Sequence, residues 1–248
     1  MCTEIRMFEE LSLNAHPAFN TIHYDGWLLR FAGGYTNRAN SVNALYPSSL
    51  SANDKISYSE HIYEGLNLPT VFKITPLSLE LDAILSERGY HIVTPTHLMT
   101  AIIAKTDVSA LVSIVENEIS ENWQNNYFRL QQASDATIIL AKRVQSNIIG
   151  KSICATLVYG NEVIACGLCV VERDYAGLYD IIVAPQHRQK GYGKDICLSL
   201  MCAASKFGAK TAYLQVVAEN YRAINLYEKI GFKNMYQYSY RVKKPQSP

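Results

Sequence analysis

Val183-Ala184-Pro185-Gln186-His187-Arg188-Gln189-Lys190-Gly191-Tyr192-Gly193 links an apolar run, Leu178-Tyr179-Asp180-Ile181-Ile182-Val183, to a periodic segment from Lys194 to Phe207. The run reads as a strand and the segment as a helix, so two glycines stand where one becomes the other. The first N–H groups of a helix lack carbonyl partners and carry partial positive charge, and glycine lets an anion approach the backbone with no Cβ in the way. The stretch is therefore a place to hold phosphate. A short glycine motif is weak alone; its weight comes from Asn220 and Leu226-Tyr227-Glu228-Lys229-Ile230-Gly231-Phe232 downstream.

The 248 residues, 48% apolar and 18% charged, suffice for one large or two medium globular domains. With 23 Lys and Arg against 22 Asp and Glu the net charge is +1, so no global field recruits nucleic acid or an anionic membrane, and an anion site must be local. No apolar stretch reaches the roughly 20 residues that span a bilayer. Met1 to Arg6 lacks the basic segment and long apolar core of a signal peptide. A soluble cytoplasmic protein, monomer or homodimer, is the expectation. Cys2, Cys154, Cys166, Cys169, Cys197 and Cys202 mostly lie in apolar runs and read as reduced and buried. Cys166 and Cys169 have metal-ligand spacing, but in a strand they face opposite sides and no second pair follows, so no metal is expected.

Around the motif, strands are predicted at Ser152 to Tyr159 and Glu162 to Glu172, joined by Gly160-Asn161, with helices before them at about Val108 to Asn122 and Asp135 to Gln145. The first of these helices rests on the stripe Leu111, Val112, Val115 and Ile119. After the motif come a strand at Ala212 to Val217, a helix at Tyr221 to Ile230 capped by Gly231, and a strand at Tyr236 to Val242. Earlier in the chain, strands at Gly26 to Phe31 and Ala39 to Tyr46 flank the turn Ala32 to Tyr35. A helix at Asn53 to Leu66, a strand at Val71 to Thr75 and a helix at Leu77 to Arg88 capped by Gly89 follow, then extended chain at His91 to Val93 and His97 to Ala104.

These two halves echo each other. Val71 to Thr75, the helix to Arg88 and Gly89-Tyr90 match Tyr213 to Val217, the helix to Ile230 and Gly231-Phe232 at a constant offset of 142 (231 − 89). Upstream, Val42 to Pro47 echoes Ile181 to Pro185, but the first half then reads Ser48-Ser49-Leu50-Ser51 with no glycine. Ser78 stands opposite Asn220 and Leu85 opposite Tyr227. The chemistry is expected in the second half alone, with domains at 1–105 and 106–248.

The second half resembles the GNAT superfamily of acetyl-CoA-dependent N-acyltransferases. Its Val-x-Pro-x-x-Arg-x-x-Gly-x-Gly is met by Val183 to Gly193, and its Asn-x-x-Ala-x-x-Leu-Tyr-x-x-x-Gly-Phe by Asn220 to Phe232. The resemblance covers roughly residues 106 to 242 and, more weakly, the first half. It implies an α/β tandem of two GNAT-like halves, each a mixed, mostly antiparallel sheet flanked by helices, the N-terminal one degenerate. It implies that Arg188, Gln189, Lys190, Gly191, Tyr192, Gly193 and Lys194 cradle the pyrophosphate of acetyl-CoA. It also implies that a bulged, splayed strand frees backbone at Ile181, Ile182 and Val183 for the pantetheine arm, and that the Val183 N–H polarises the thioester carbonyl.

Asn220 would bind that arm or order the loop, and Tyr227 would protonate the departing thiolate. A phenol whose ordinary pKa is about 10 can donate that proton at neutral pH. Asp180 is the first choice for general base, with Glu172 or a water chain as alternatives; His187 is expected to face solvent. Trp27, Arg30, Tyr35, Arg38, Asn40 and Asn43 mix aromatic and hydrogen-bonding groups in a short span and are candidates for an acceptor pocket. The expected reaction is direct acetyl transfer to a primary amine of a small molecule or peptide. The alternative is an acyl-CoA-binding sensor or pseudoenzyme.

Overall fold

The computed structural model describes residues 2–104 and 113–244, and the chain divides into two compact units. The first comprises Met1–His97, Arg143–Asn147 and Tyr236–Pro248, the second Leu98–Lys142 and Ile148–Met235. Each unit draws on both halves of the sequence.

The first unit holds α1 (Cys2–Ala15), β1 (Asn20–Tyr24), β2 (Trp27–Phe31), β3 (Val42–Ala44), α2 (Ala52–Gly65), β4 (Thr70–Ile74), α3 (Leu79–Glu87), the start of β5 (His91–Ile102), and β11 (Lys233–Lys243) from Tyr236 onward. Its strands run β1-β2-β3-β4-β11, antiparallel except for β3 with β4. On one face Trp27, Leu29, Val42, Phe72 and Ile74 pack with Ile56, Tyr63, Leu81 and Leu85 of α2 and α3. On the other, Asn43 pairs in register with Lys73 and Lys73 with Tyr240. There the Lys73 ammonium meets the buried Glu9 carboxylate of α1 at 2.6 Å, and the Tyr236 hydroxyl donates to the same carboxylate at 2.7 Å. Pairing and hydrogen bonding on both oxygens are what make a buried carboxylate tolerable. The sequence reading passed over α1, although Ile5, Phe8, Leu11 and Ala15 are spaced for one buried helix face.

The second unit holds Leu98 onward of β5, then β6 (Ser113–Glu116), α4 (Glu121–Gln131), α5 (Asp135–Ser146) as far as Lys142, β7 (Lys151–Tyr159), β8 (Glu162–Glu172), β9 (Tyr175–Val183), α6 (Tyr192–Ser205), β10 (Thr211–Val217) and α7 (Tyr221–Lys229). From β5 its strands run β5-β10-β9-β8-β7-β6, with β9 and β10 parallel. The helix expected from Val108 to Asn122 is corrected: its first residues lie outside the described ones, and Ser113 to Glu116 pair antiparallel with Cys154 to Leu157 as a strand. Val115 reads equally well with either period over so short a run, and the helix begins only after Ser120, whose side chain caps it by accepting from the Trp123 N–H.

The echo is repeated in three dimensions. The bounds of α3 and α7 differ by 142 residues at both ends (221 − 79 and 229 − 87), as do the starts of β5 and β11 (233 − 91). Yet β11 pairs with β4 in the first unit, while the end of β5 flanks β10 in the second.

Candidate active site

β9 begins as a regular partner of β10, with Tyr175, Ala176, Gly177 and Leu178 opposite Thr211, Ala212, Tyr213 and Leu214, and the pairing ends there. On its other side, the register with β8 jumps between Cys166/Ile182 and Leu168/Tyr179, so Asp180 and Ile181 stand opposite Gly167 alone. This is a β-bulge, and Asp180 within it takes the left-handed conformation at φ 52°. A Cβ on Gly167 would meet Ile181 at 2.8 Å and Ile196 at 2.5 Å, so glycine lets the bulged side chain pack there. Past the bulge, the Ala184 N–H donates to the Ile164 carbonyl at 2.8 Å. Bonded and unbonded pairs alternate in an antiparallel ladder, which turns the Val183 N–H and C=O away from β8, toward the side that β10 has left. The Val183 carbonyl there accepts from Arg188 Nε at 3.1 Å.

Pro185 to His187 then form a 3-10 turn, and the chain enters α6 through Gln189 at φ 63° and Gly191 at φ 93°. The amides of Lys194 and Asp195 turn back to the Gly191 carbonyl, whereas those of Gln189, Lys190, Gly191, Tyr192 and Gly193 have no acceptor among the described residues. The two glycines serve different ends. Among the described residues space is open around Gly191, which is required by its backbone angle, whereas a Cβ on Gly193 would meet Leu226 of α7 at 3.0 Å and Val183 at 3.7 Å. Gly193 is thus where α6, α7 and β9 converge.

Asn220 caps α7, its side-chain oxygen accepting from the Ala223 N–H at 3.2 Å. Tyr227 packs on the unit's core beside Phe232, with no hydrogen bond to its hydroxyl among the described residues. Burial, with a smaller contribution from Cys197, pushes its phenol well above the ordinary value. Asp180 accepts from the Tyr127 hydroxyl at 3.1 Å, and Tyr127 stacks on Trp123 with ring centroids 5.3 Å apart and planes 4° from parallel. Trp123 Nε1 in turn donates to the Ala155 carbonyl. Neither aromatic was read as part of a site; their i, i+4 spacing was the available signal.

A family model described as "Probable histone acetyltransferase Rv0428c C-terminal" matches residues 2–241. The chain belongs to this family. It is 33% identical over 250 residues to the uncharacterized N-acetyltransferase YobR of Bacillus subtilis (strain 168), covering 97% of this chain and 99% of that protein. In fold it is similar to a GCN5-related N-acetyltransferase from Kribbella flavida, with TM-score 0.70 and 11% identity over 100% of this chain and 96% of that one. It is also similar to a tandem GNAT protein from the clavulanic acid biosynthesis pathway, with TM-score 0.66 and 8% identity over 97% and 88%. The GNAT-type acyltransferase expected from the two motifs is thereby established.

In the first unit of this acetyltransferase the corresponding loop is filled from within. The Asp25 carboxylate accepts from the Ser49 and Leu50 amides at 3.0 and 2.8 Å and from the Ser48 and Ser49 hydroxyls, with Lys55 Nζ at 3.2 Å. The bonds from Leu50 and Ser49 hold its carboxyl well below the usual carboxylate range. Leu85, at the position echoing Tyr227, is fully buried in that unit's core.

The first-half residues expected to line an acceptor pocket are largely spent on structure. Trp27 is buried against Phe72 and Lys55; Arg30 donates to the carbonyls of Arg38, Leu13 and His16. Asn40 ties the Ala32 and Gly34 amides to the Thr36 carbonyl, Asn43 donates to Ser41, and Tyr35 stacks on His16. Arg38 is engaged as well, its charge helping, after burial, to lower the His16 pKa. His187 does not face solvent freely: its ring lies between Tyr159 and Tyr192. Glu172 closes the β8–β9 turn beside Arg173, at the far end of the strand from the bulge. Cys166 and Cys169 are buried, and burial pushes the Cys166 thiol up to about 12. No helix among the described residues is long and apolar enough to cross a membrane.

Proposed function

We propose that the second unit transfers the acetyl group of acetyl-CoA directly to a primary amine. The observation that carries this is the bulged end of β9, open toward β10 and leading straight into the amides of Gln189 to Gly193, which have no acceptor among the described residues. Amides at a helix start suit the pyrophosphate, with the Arg188, Lys190 and Lys194 side chains exposed around them. An extended pantetheine arm fits against Ile181 to Val183 as a missing strand would, and the Val183 N–H is turned to where the thioester carbonyl would lie. Acetyl-CoA supplies the activated acyl group.

The amine nitrogen bonds to the carbonyl carbon, giving up a proton to Asp180 directly or through water. The carbon–sulfur bond breaks, and the Tyr227 hydroxyl protonates the leaving thiolate. Tyr127 is a positioning residue, holding one carboxylate oxygen of Asp180. No covalent enzyme intermediate is needed, and burial pushes the Cys197 thiol up to about 12, a poor nucleophile at neutral pH. Thiol release from acetyl-CoA, followed with a panel of small amines and peptide N-terminal amines, tests the proposal. An acetylated amine formed with equal thiol release is expected, and binding of acetyl-CoA with no transfer across the panel would favour the sensor reading.

A further inference from the structure

Three aromatic rings stand in contact beside the glycine loop. The His187 ring lies 5.5 Å from that of Tyr159 and 6.1 Å from that of Tyr192, tilted by 54° and 49°. They arrive from separate elements: Tyr159 ends β7 opposite Glu162, His187 closes the 3-10 turn, and Tyr192 opens α6. The antiparallel register that sets Ala165 opposite Val183 brings the β7–β8 turn to the end of the sheet where β9 enters the loop.

Core burial does not explain this grouping, because Tyr159 is 61% exposed. His187 is arranged neither as a base nor as a metal ligand, roles in which one ring nitrogen is oriented by a bond to the other. Its Nδ1 is buried with no hydrogen-bond partner among the described residues, so ring contacts set its position. What remains is a partly exposed cluster of aromatic rings next to the candidate phosphate cradle, with cations at Arg188, Lys190 and Lys194 exposed around it.

We propose that Tyr159, His187 and Tyr192 form a shelf on which the adenine of acyl-CoA stacks, the neighbouring cations facing its ribose phosphate. The proposal rests on the acyl-CoA reading above and places the end of the ligand which that reading leaves open. Aromatic faces hold a base without hydrogen-bond readout, and the pyrophosphate tethers the adenosine within reach of the loop.

Calorimetric titration of the native chain and of Tyr159→Ala with CoA and with 4′-phosphopantetheine, which lacks the adenosine, provides the test. Tyr159→Ala is expected to weaken CoA about tenfold, the scale of one base on one ring, and to leave phosphopantetheine within about twofold. Tyr159→Trp should restore CoA binding, and His187→Ala should reproduce the selective loss. Equal weakening of both ligands, or of neither, overturns the shelf while leaving the acyl-CoA reading standing. A native chain that binds neither ligand overturns that reading and the shelf with it.

Discussion

Tyr227 and Gly191 illustrate two ways in which a motif residue earns its place. The Tyr227 phenol is pushed upward by burial, so it stays protonated through neutral and moderately alkaline pH, as a proton donor must. Tyr227→Phe should lower turnover about 10²–10⁴-fold with acetyl-CoA affinity within about twofold, read from thiol release and titration; an unchanged turnover would remove it from the acid role. Gly191 has no neighbour among the described residues in the way of a side chain, and its requirement is angular. Gly191→Val should cost about 1–2 kcal/mol in stability and weaken acetyl-CoA at least about tenfold as the loop relaxes. Thermal unfolding with and without ligand separates the two effects, and a variant stabilised by acetyl-CoA as strongly as the native chain would sink the cradle argument.

Among the elements, the two strand-to-helix loops make the informative comparison. Both reach a helix with donors to satisfy, one leaving them open and the other closing them on Asp25. Because its folded pKa is depressed, the Asp25 carboxylate stabilises the fold above the ordinary carboxylate pKa of about 4, and that contribution is lost as pH falls below it. The melting temperature of Asp25→Asn should therefore lie below the native value at pH 6, with the gap narrowing at pH 3. A gap of constant size would show that the negative charge is not what the loop uses. Strands and helices flanking both loops were legible from periodicity and glycine caps, and so was the candidate cradle. Asp25 was not, because nothing local in Asp25-Gly26 marks it as the partner of amides more than twenty residues on.

For the whole molecule, the consequential fact is which strand completes which unit. A chain ending before Tyr236 loses Ser239 to Lys243 from the side of β4, the Tyr236 bond to Glu9, and the paired contacts of Arg241 with Asp82 at 2.8 and 2.9 Å. Its first unit should lose slow amide exchange along β4, measured by hydrogen exchange, even though the truncation lies in the other half of the sequence. Preserved protection there would contradict the assignment of β11. A fragment starting at residue 106 should likewise fold poorly, since it lacks Leu98 to Ile102 beside β10, together with the Met99 and Ala101 core contacts.

By itself the sequence determined the family, the repeated plan, and which half carries the loop and tyrosine, because these rest on short-range spacing: glycines between strand and helix, and Asn220 seven residues before Tyr227. Only the tertiary structure decided that β5 and β11 complete units other than those their order suggests, that Asp25 closes the first loop, and that Tyr127 and Trp123 stand behind Asp180. Pairing between strands and between side chains remote in sequence is set by register and burial, and no local pattern encodes either one.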